Sequence, residues 1–142
     1  MPRPTACFTY GSLMCEDIFR AVAGPPGRAE PATLAGYRRH PVRGADYPGI
    51  RPAGDATVDG VLYHGVSAIA LARLDAFEGA QYRREAVEVR TAGGAVVAAW
   101  VFVFHPAHAH RLGAGDWDAA AFMRHGKARF LRRYRPTDRS DV

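Results

Sequence analysis

The chain has 142 residues, of which 48% are apolar and 23% charged, and 19 Lys and Arg against 14 Asp and Glu give it a net charge of +5. That length and balance fit one globular domain with a real core and exclude a disordered chain. The cationic excess favours anionic ligands without specifying one.

In chain order, residues 6–10, "ACFTY", read as a short strand, and "CEDIFRAVAG" (15–24) reads as a helix. Ile18, Phe19 and Val22 form its apolar side, and Gly24, Pro25 and Pro26 end it. Residues 32–38 have strand character. Residues 40–55 are rich in Gly and Pro and read as a long loop or a set of very short strands, and 57–64 alternate as a strand. "SAIALARLDAFEG" (67–79) is a helix with Ser67 as N-cap and Ile69, Ala70, Leu74 and Phe77 as its stripe. Gly79 sits where a left-handed residue would end it. A hairpin follows, with strands at 84–91 and 95–105. Val87 and Val89 share one face of the first strand, while the second is apolar on both faces and so is expected to be covered twice. Residues 118–134 read as a last helix with Phe122, Met123, Gly126, Phe130 and Tyr134 in line. There is no linker and no repeat. The order lacks regular βαβ alternation, so the expected class is α+β, a single domain over 1–142 with a core of about 6–134. A largely antiparallel, strongly bent sheet or small barrel fits that order.

Two stretches can carry chemistry. In "TYGSLM" (9–14) a strand ends, a Gly-containing turn follows and a helix begins. Backbone N–H groups at such a turn can cradle a carboxylate or phosphate, and Gly11 lets a ligand approach closely. In "RLDAFEGAQYRRE" (73–85) the acid Glu78 lies at a helix end beside Phe77. The negative helix terminus and partial burial both disfavour its charge, which suits a proton carrier near neutral pH. Read singly, the first stretch is an ordinary strand-to-helix turn and Glu78 an ordinary surface acid.

Other candidates are weaker. His105, His108 and His110 in "HPAHAH" have no acidic or Cys partner nearby, so no metal ligands are assigned. Arg124, Lys127, Arg129, Arg132, Arg133 and Arg135 make the last helix basic. Its aromatics lie on the core stripe rather than between the cations, so a solvated face is expected and no nucleic-acid partner. Cys7 and Cys15 form no CxxC or zinc pattern and are expected as packed thiols. The N-terminus lacks the apolar core of a signal peptide. The longest apolar run, "AVVAAWVFVF" (95–104), falls short of the roughly 20 residues of a membrane helix. A cytoplasmic protein without membrane contact is expected.

Taken together, "FTYGSLM", "GYRRHPVRGADYPGIRP", "VDGVLYHGVS" and "LDAFEGAQYRRE" resemble, in order and spacing, the γ-glutamylcyclotransferase-like family. The similarity is greatest to its small plant and bacterial branch named after an avirulence-induced gene. The resemblance implies a small mixed barrel flanked by helices. It implies a substrate-binding loop at Tyr10, Gly11, Ser12 and Leu13, a catalytic acid/base at Glu78, and cavity-lining tyrosines at Tyr47 and Tyr82. The implied reaction needs no cofactor. The α-amine of a small anionic γ-glutamyl substrate attacks its own γ-carbonyl, giving 5-oxoproline and a free amine or amino acid. A non-catalytic member of the same fold that binds a small molecule is the alternative. Arg43 or Arg51 would be available to a carboxylate on the leaving group.

Overall fold

In the computed structural model, which describes residues 3–133, five strands close a barrel in the order β1-β3-β2-β4-β5. They are β1 (Cys7–Thr9), β2 (Ala29–Pro41), β3 (Pro48–Tyr63), β4 (Tyr82–Thr91) and β5 (Val96–Phe104). The β1–β5 pairing is parallel and the others are antiparallel. The barrel is therefore mixed and largely antiparallel, as the sequence leads one to expect. Helices α1 (Glu16–Ala23) and α2 (Ala68–Glu78) pack outside it. A last helical run combines α3 (Ala119–Ala121), a π-helical turn (Phe122–Gly126) and α4 (Lys127–Arg133). Tyr134 and Arg135, assigned above to this run, lie outside the described residues.

Strand alternation divides the core. Phe8, Leu34, Ile50, Val58, Leu62, Val89, Val101 and Val103 fill the barrel. Their neighbours on the other side of the strands, Cys7, Tyr63 and Phe102, meet Ile18, Phe19, Leu71, Leu74 and Phe130 from the helices. This is why the C-terminal half of β5 is apolar on both faces: one lines the barrel and the other lies under the helices. Tyr63 is fully buried and stacks on Phe19 at 4.0 Å between ring centroids.

The Gly- and Pro-rich stretch 40–55 is not a long loop. β2 and β3 form a long hairpin closed by the pair Pro41↔Pro48, so the connection is only residues 42–47. β2 pairs with β4 only at Ala32 and Thr33, and the Pro41 end instead meets residues 111–113, with the Gly113 N–H donating to the Pro41 carbonyl and the Arg43 N–H to the Arg111 carbonyl, bonds that need no proline N–H. Proline is tolerated there because no ladder hydrogen bond is lost. Gly49 serves packing, since a Cβ on it would lie 2.7 Å from the Phe104 ring. The register slips beyond Gly36: Ala35 faces Thr57 but Tyr37 faces Pro52, and residues 53–56 bulge out of the ladder.

Two helix stripes also need correction. Ser67 caps α2 by accepting from the Ala70 N–H, but Ile69 is 68% exposed, and Leu71 takes its place beside Ala70 and Leu74. In the last run Phe122, Gly126 and Phe130 are buried while Met123 is 57% exposed. The π turn adds a residue and moves the periodicity off a straight α-helical count.

Candidate functional site

At one end of the barrel a cleft is lined by the end of β1, the turn after it, the start of β3, the end of α2, the start of β4 and Phe102 of β5. Tyr10, Gly11, Ser12, Leu13, Tyr47, Glu78 and Tyr82 all line it. The expected substrate-binding loop, the expected acid/base and the two expected wall tyrosines therefore open onto one space. Ser12, Tyr47, Glu78 and Tyr82 also line an adjoining space with Phe77, Gln81 and Phe130. Glu78 thus stands at the junction of the two.

The turn after β1 is a short 3-10 segment (Ser12–Met14) closed by Met14 N–H to Gly11 O and Cys15 N–H to Ser12 O. These bonds do not use the Ser12 and Leu13 N–H groups, which donate to no backbone acceptor among the described residues. The buried Tyr63 hydroxyl anchors the turn from below at the Leu13 carbonyl (2.9 Å) and the Met14 carbonyl (3.1 Å). A Cβ on Gly11 would meet Pro48 Cδ at 2.6 Å and Cγ at 2.7 Å, so glycine is required for this turn to lie on the start of β3. The Tyr10 hydroxyl is committed, donating to the Phe102 carbonyl at 2.6 Å inside the barrel. Tyr10 therefore serves the cleft through its ring and backbone rather than through its hydroxyl.

Glu78 ends α2, and Gly79, at φ 76°, turns the chain away from the helix in a conformation other residues disfavour. Arg84 of β4 reaches this acidic helix end. It pairs with Asp75 in a two-pronged contact of 2.8 and 3.2 Å and lies over the Trp100 ring at 4.3 Å. No described Arg or Lys pairs with Glu78. Burial without a compensating cation pushes its carboxyl up from 4.5 to about 8. The carboxylate is in turn felt by its neighbours. The Tyr10 phenol and the Cys7 thiol are raised first by burial and second by the charge of Glu78. Of the two causes the sequence suggests, burial is the one that the enclosure of Glu78 supplies.

Tyr82 donates to the Pro48 carbonyl at 2.6 Å and Tyr47 to the Gln81 side chain at 3.2 Å, so both rings are held at the cleft wall. Their centroids lie 6.4 Å apart. Sequence reading missed Tyr63 and Gln81. Gln81 lies three residues beyond Glu78 within the "FEG" block, a signal available in the sequence, whereas the link of Tyr63 to residues 13–14 is purely tertiary.

Arg43 and Arg51 line neither space. Arg43 donates to the His110 carbonyl and Arg51 to the His40 ring, both away from Glu78. His108 and His110 lie in a 3-10 turn (Pro106–Arg111) with His105 as its N-cap, and no group of metal-ligating side chains forms among the described residues. Two cations of the last helix are tied down: Arg129 pairs with Asp46 at 2.7 Å and Lys127 with Asp17 at 2.9 Å. Cys7 is buried and Cys15 half-buried, and neither forms a disulfide. No helix among the described residues is long and apolar enough to cross a membrane.

Comparison with known proteins converges on this site's fold. Residues 7–119 match the sequence profile of the family described as "Gamma-glutamyl cyclotransferase, AIG2-like". AIG2-like protein D of Arabidopsis thaliana is 38% identical over 82 residues, covering 58% of this chain and 54% of that protein. AIG2-like protein C of the same plant is 30% identical over 125 residues, covering 87% and 72%. The chain thus spans about half the length of the first of these relatives. Among solved structures, an Arabidopsis thaliana protein determined in solution superposes with a TM-score of 0.69 at 26% identity, covering 95% of this chain and 82% of that one. A structure described as a gamma-glutamyl cyclotransferase shares the fold with a TM-score of 0.63 at 17% identity, covering 71% and 66%. With 113 consecutive residues inside the family profile, the chain belongs to the γ-glutamyl cyclotransferase, AIG2-like family.

Proposed function

We propose that the protein is a γ-glutamylcyclotransferase-type enzyme that converts a γ-glutamyl amide to 5-oxoproline and a free amine or amino acid. The observation that carries this reading is Glu78. It is a carboxyl raised to about 8 without a cationic partner, opening onto the same cleft as the Gly11–Leu13 turn. The α-amine nitrogen attacks the γ-carbonyl carbon, so a C–N bond forms within the substrate and closes the five-membered ring. Glu78 takes the proton that the ammonium must lose. The C–N bond to the leaving amine then breaks, and Glu78 returns the proton to that nitrogen. A group near neutral pKa suits both transfers, and such acid/base help is worth roughly 10²–10⁴-fold in rate.

In this reading the Ser12 and Leu13 N–H groups, unspent on the turn, hold the substrate's α-carboxylate. Anchoring there folds the flexible chain back on itself, and fixed orientation supplies much of the barrier reduction. Tyr47 and Tyr82 wall the cleft, and the adjoining space beside Phe77, Gln81 and Phe130 receives the leaving group. The proposed reaction uses no cofactor. The test is mass-spectrometric detection of 5-oxoproline across γ-glutamyl amino acids and γ-glutamyl amines. Release by the wild type and its loss, by at least about 100-fold, in a folded Glu78→Gln variant is expected. Full activity in that variant would overturn the role of Glu78. Saturable ligand binding with no product from any substrate would replace the enzyme by a small-molecule-binding member of the family.

A further inference from the structure

The proposed anchoring turn is held from outside the cleft by Arg39, a residue that does not line it. Arg39 lies on β2 opposite Ile50 of β3, and its side chain is only 15% exposed. Its Nη1 donates to the Tyr10 carbonyl at 2.9 Å. The rest of the guanidinium is clamped: Nε and Nη2 donate to the two carboxylate oxygens of Asp116 at 2.8 and 3.1 Å, and Cζ lies 5.4 Å from the Trp117 ring centroid. Asp116 is itself fixed, accepting from the Trp117 N–H at 2.7 Å. The Arg39 contact holds that carboxyl below its usual range. A planar cation with its fork filled has little freedom left, so the remaining donor points in one direction.

That direction matters because the Tyr10 carbonyl and the Gly11 N–H belong to one peptide unit. The unit is trans, so its N–H points opposite to its carbonyl, away from Arg39. Gly11 lines the cleft, and its N–H has no acceptor among the described residues. Glycine at this position has the loosest backbone in the turn, so something must set the plane of the peptide. A charged donor on the carbonyl also polarises the amide and strengthens its N–H as a donor.

We propose that Arg39 is a positioning residue that fixes the Tyr10–Gly11 peptide so that the Gly11 N–H joins those of Ser12 and Leu13 in binding a carboxylate. The proposal rests on the reading of residues 10–13 as the carboxylate anchor, and its test separates the two. The experiment is a ¹H–¹⁵N correlation titration of the full chain with 5-oxoproline, the proposed product, for wild type, Arg39→Gln and Asp116→Asn. In the wild type the Gly11 amide should lie downfield when free and shift on adding 5-oxoproline. In Arg39→Gln it should move upfield when free, and the Kd should rise roughly tenfold through loss of a charge-assisted contact. Where turnover is measured, KM should rise by the same factor while the acid limb of the pH profile, set by Glu78, stays in place. A Gly11 signal that does not move, or a Kd within twofold of wild type, overturns the proposal. If Arg39→Gln fails to fold, Asp116→Asn decides, because it keeps the cation and removes its clamp. A smaller change in the same sense supports the proposal and an unmoved Gly11 signal overturns it. If the wild type does not respond to 5-oxoproline, the anchor reading fails, and the Gly11 signals of the ligand-free proteins alone decide the role of Arg39.

Discussion

Replacing Glu78 with Gln should stabilise the protein by an amount that grows with pH. Burial raises this carboxyl from 4.5 to about 8, whereas the unfolded chain returns it to the ordinary range. Between those values the folded protein keeps a proton that the unfolded chain has released. Stability therefore falls as pH rises through that window. Below about pH 4.5 both states are protonated and Glu78 contributes nothing; above about pH 8 the cost is complete. The span is about 3.5 pH units, and at about 1.36 kcal/mol each the upper bound is about 5 kcal/mol. Glu78 is only partly enclosed, and water at the cleft mouth screens its charge, so about 2–4 kcal/mol is expected. Gln has nearly the same shape and no charge. For a chain of this length each kcal/mol moves Tm by roughly 3–5 °C. Near pH 9 the variant should melt about 6–20 °C above wild type, and the gap should close toward pH 4. Paired thermal or urea melts from pH 4 to 9 measure it. A gap that does not change with pH, or a variant that is less stable at pH 9, would refute the argument that burial holds the proton on Glu78. The same substitution is expected to abolish turnover, a trade of stability for a charge placed where chemistry needs it.

Three further outcomes follow from the geometry. Gly11→Ala brings a Cβ to 2.6 Å from the Pro48 ring, so it should cost about 1–3 kcal/mol in urea melts and weaken substrate or product binding by displacing the turn. Tyr63→Phe removes the hydroxyl that binds the Leu13 and Met14 carbonyls and should cost about 1–3 kcal/mol, with faster amide exchange at residues 12–15. On α2, Ile69→Lys should change stability by less than about 0.5 kcal/mol. Leu74→Ala should cost about 2–5 kcal/mol, because Leu74 is fully buried against α1 and the barrel. Equal costs at the two positions would show that α2 is rotated relative to this structure.

What the chain makes legible by itself is local. Ser67 and Gly79 bracket α2 because a hydroxyl that accepts from an early helical N–H and a residue free to take positive φ are needed at those places wherever the helix sits. The alternation of Val87 and Val89 and the doubly apolar β5 announced strands and their burial. The order of four blocks was enough for the family and, through it, for the barrel. Where sequence reading failed, long-range partners decided. Gly and Pro at 40–55 look like a loop until the pairing with residues 111–113 and the Phe104 ring explain why they are tolerated. Ile69 fits the helical count, yet the barrel meets α2 on the side of Leu71.

The site divides in the same way. "TYGSLM" and Glu78 could each be named from the sequence, because a glycine turn before a helix and an acid at a helix end have chemical meaning on their own. Their meeting in one cleft, the buried Tyr63 beneath the turn and the Arg39 guanidinium on the Tyr10 carbonyl belong to tertiary structure. So does the raised pKa of Glu78. A carboxyl shifts when water is removed around it and no cation replaces the water, and which arginine goes where is settled by packing: Arg84 is taken by Asp75 and Trp100, leaving Glu78 its proton.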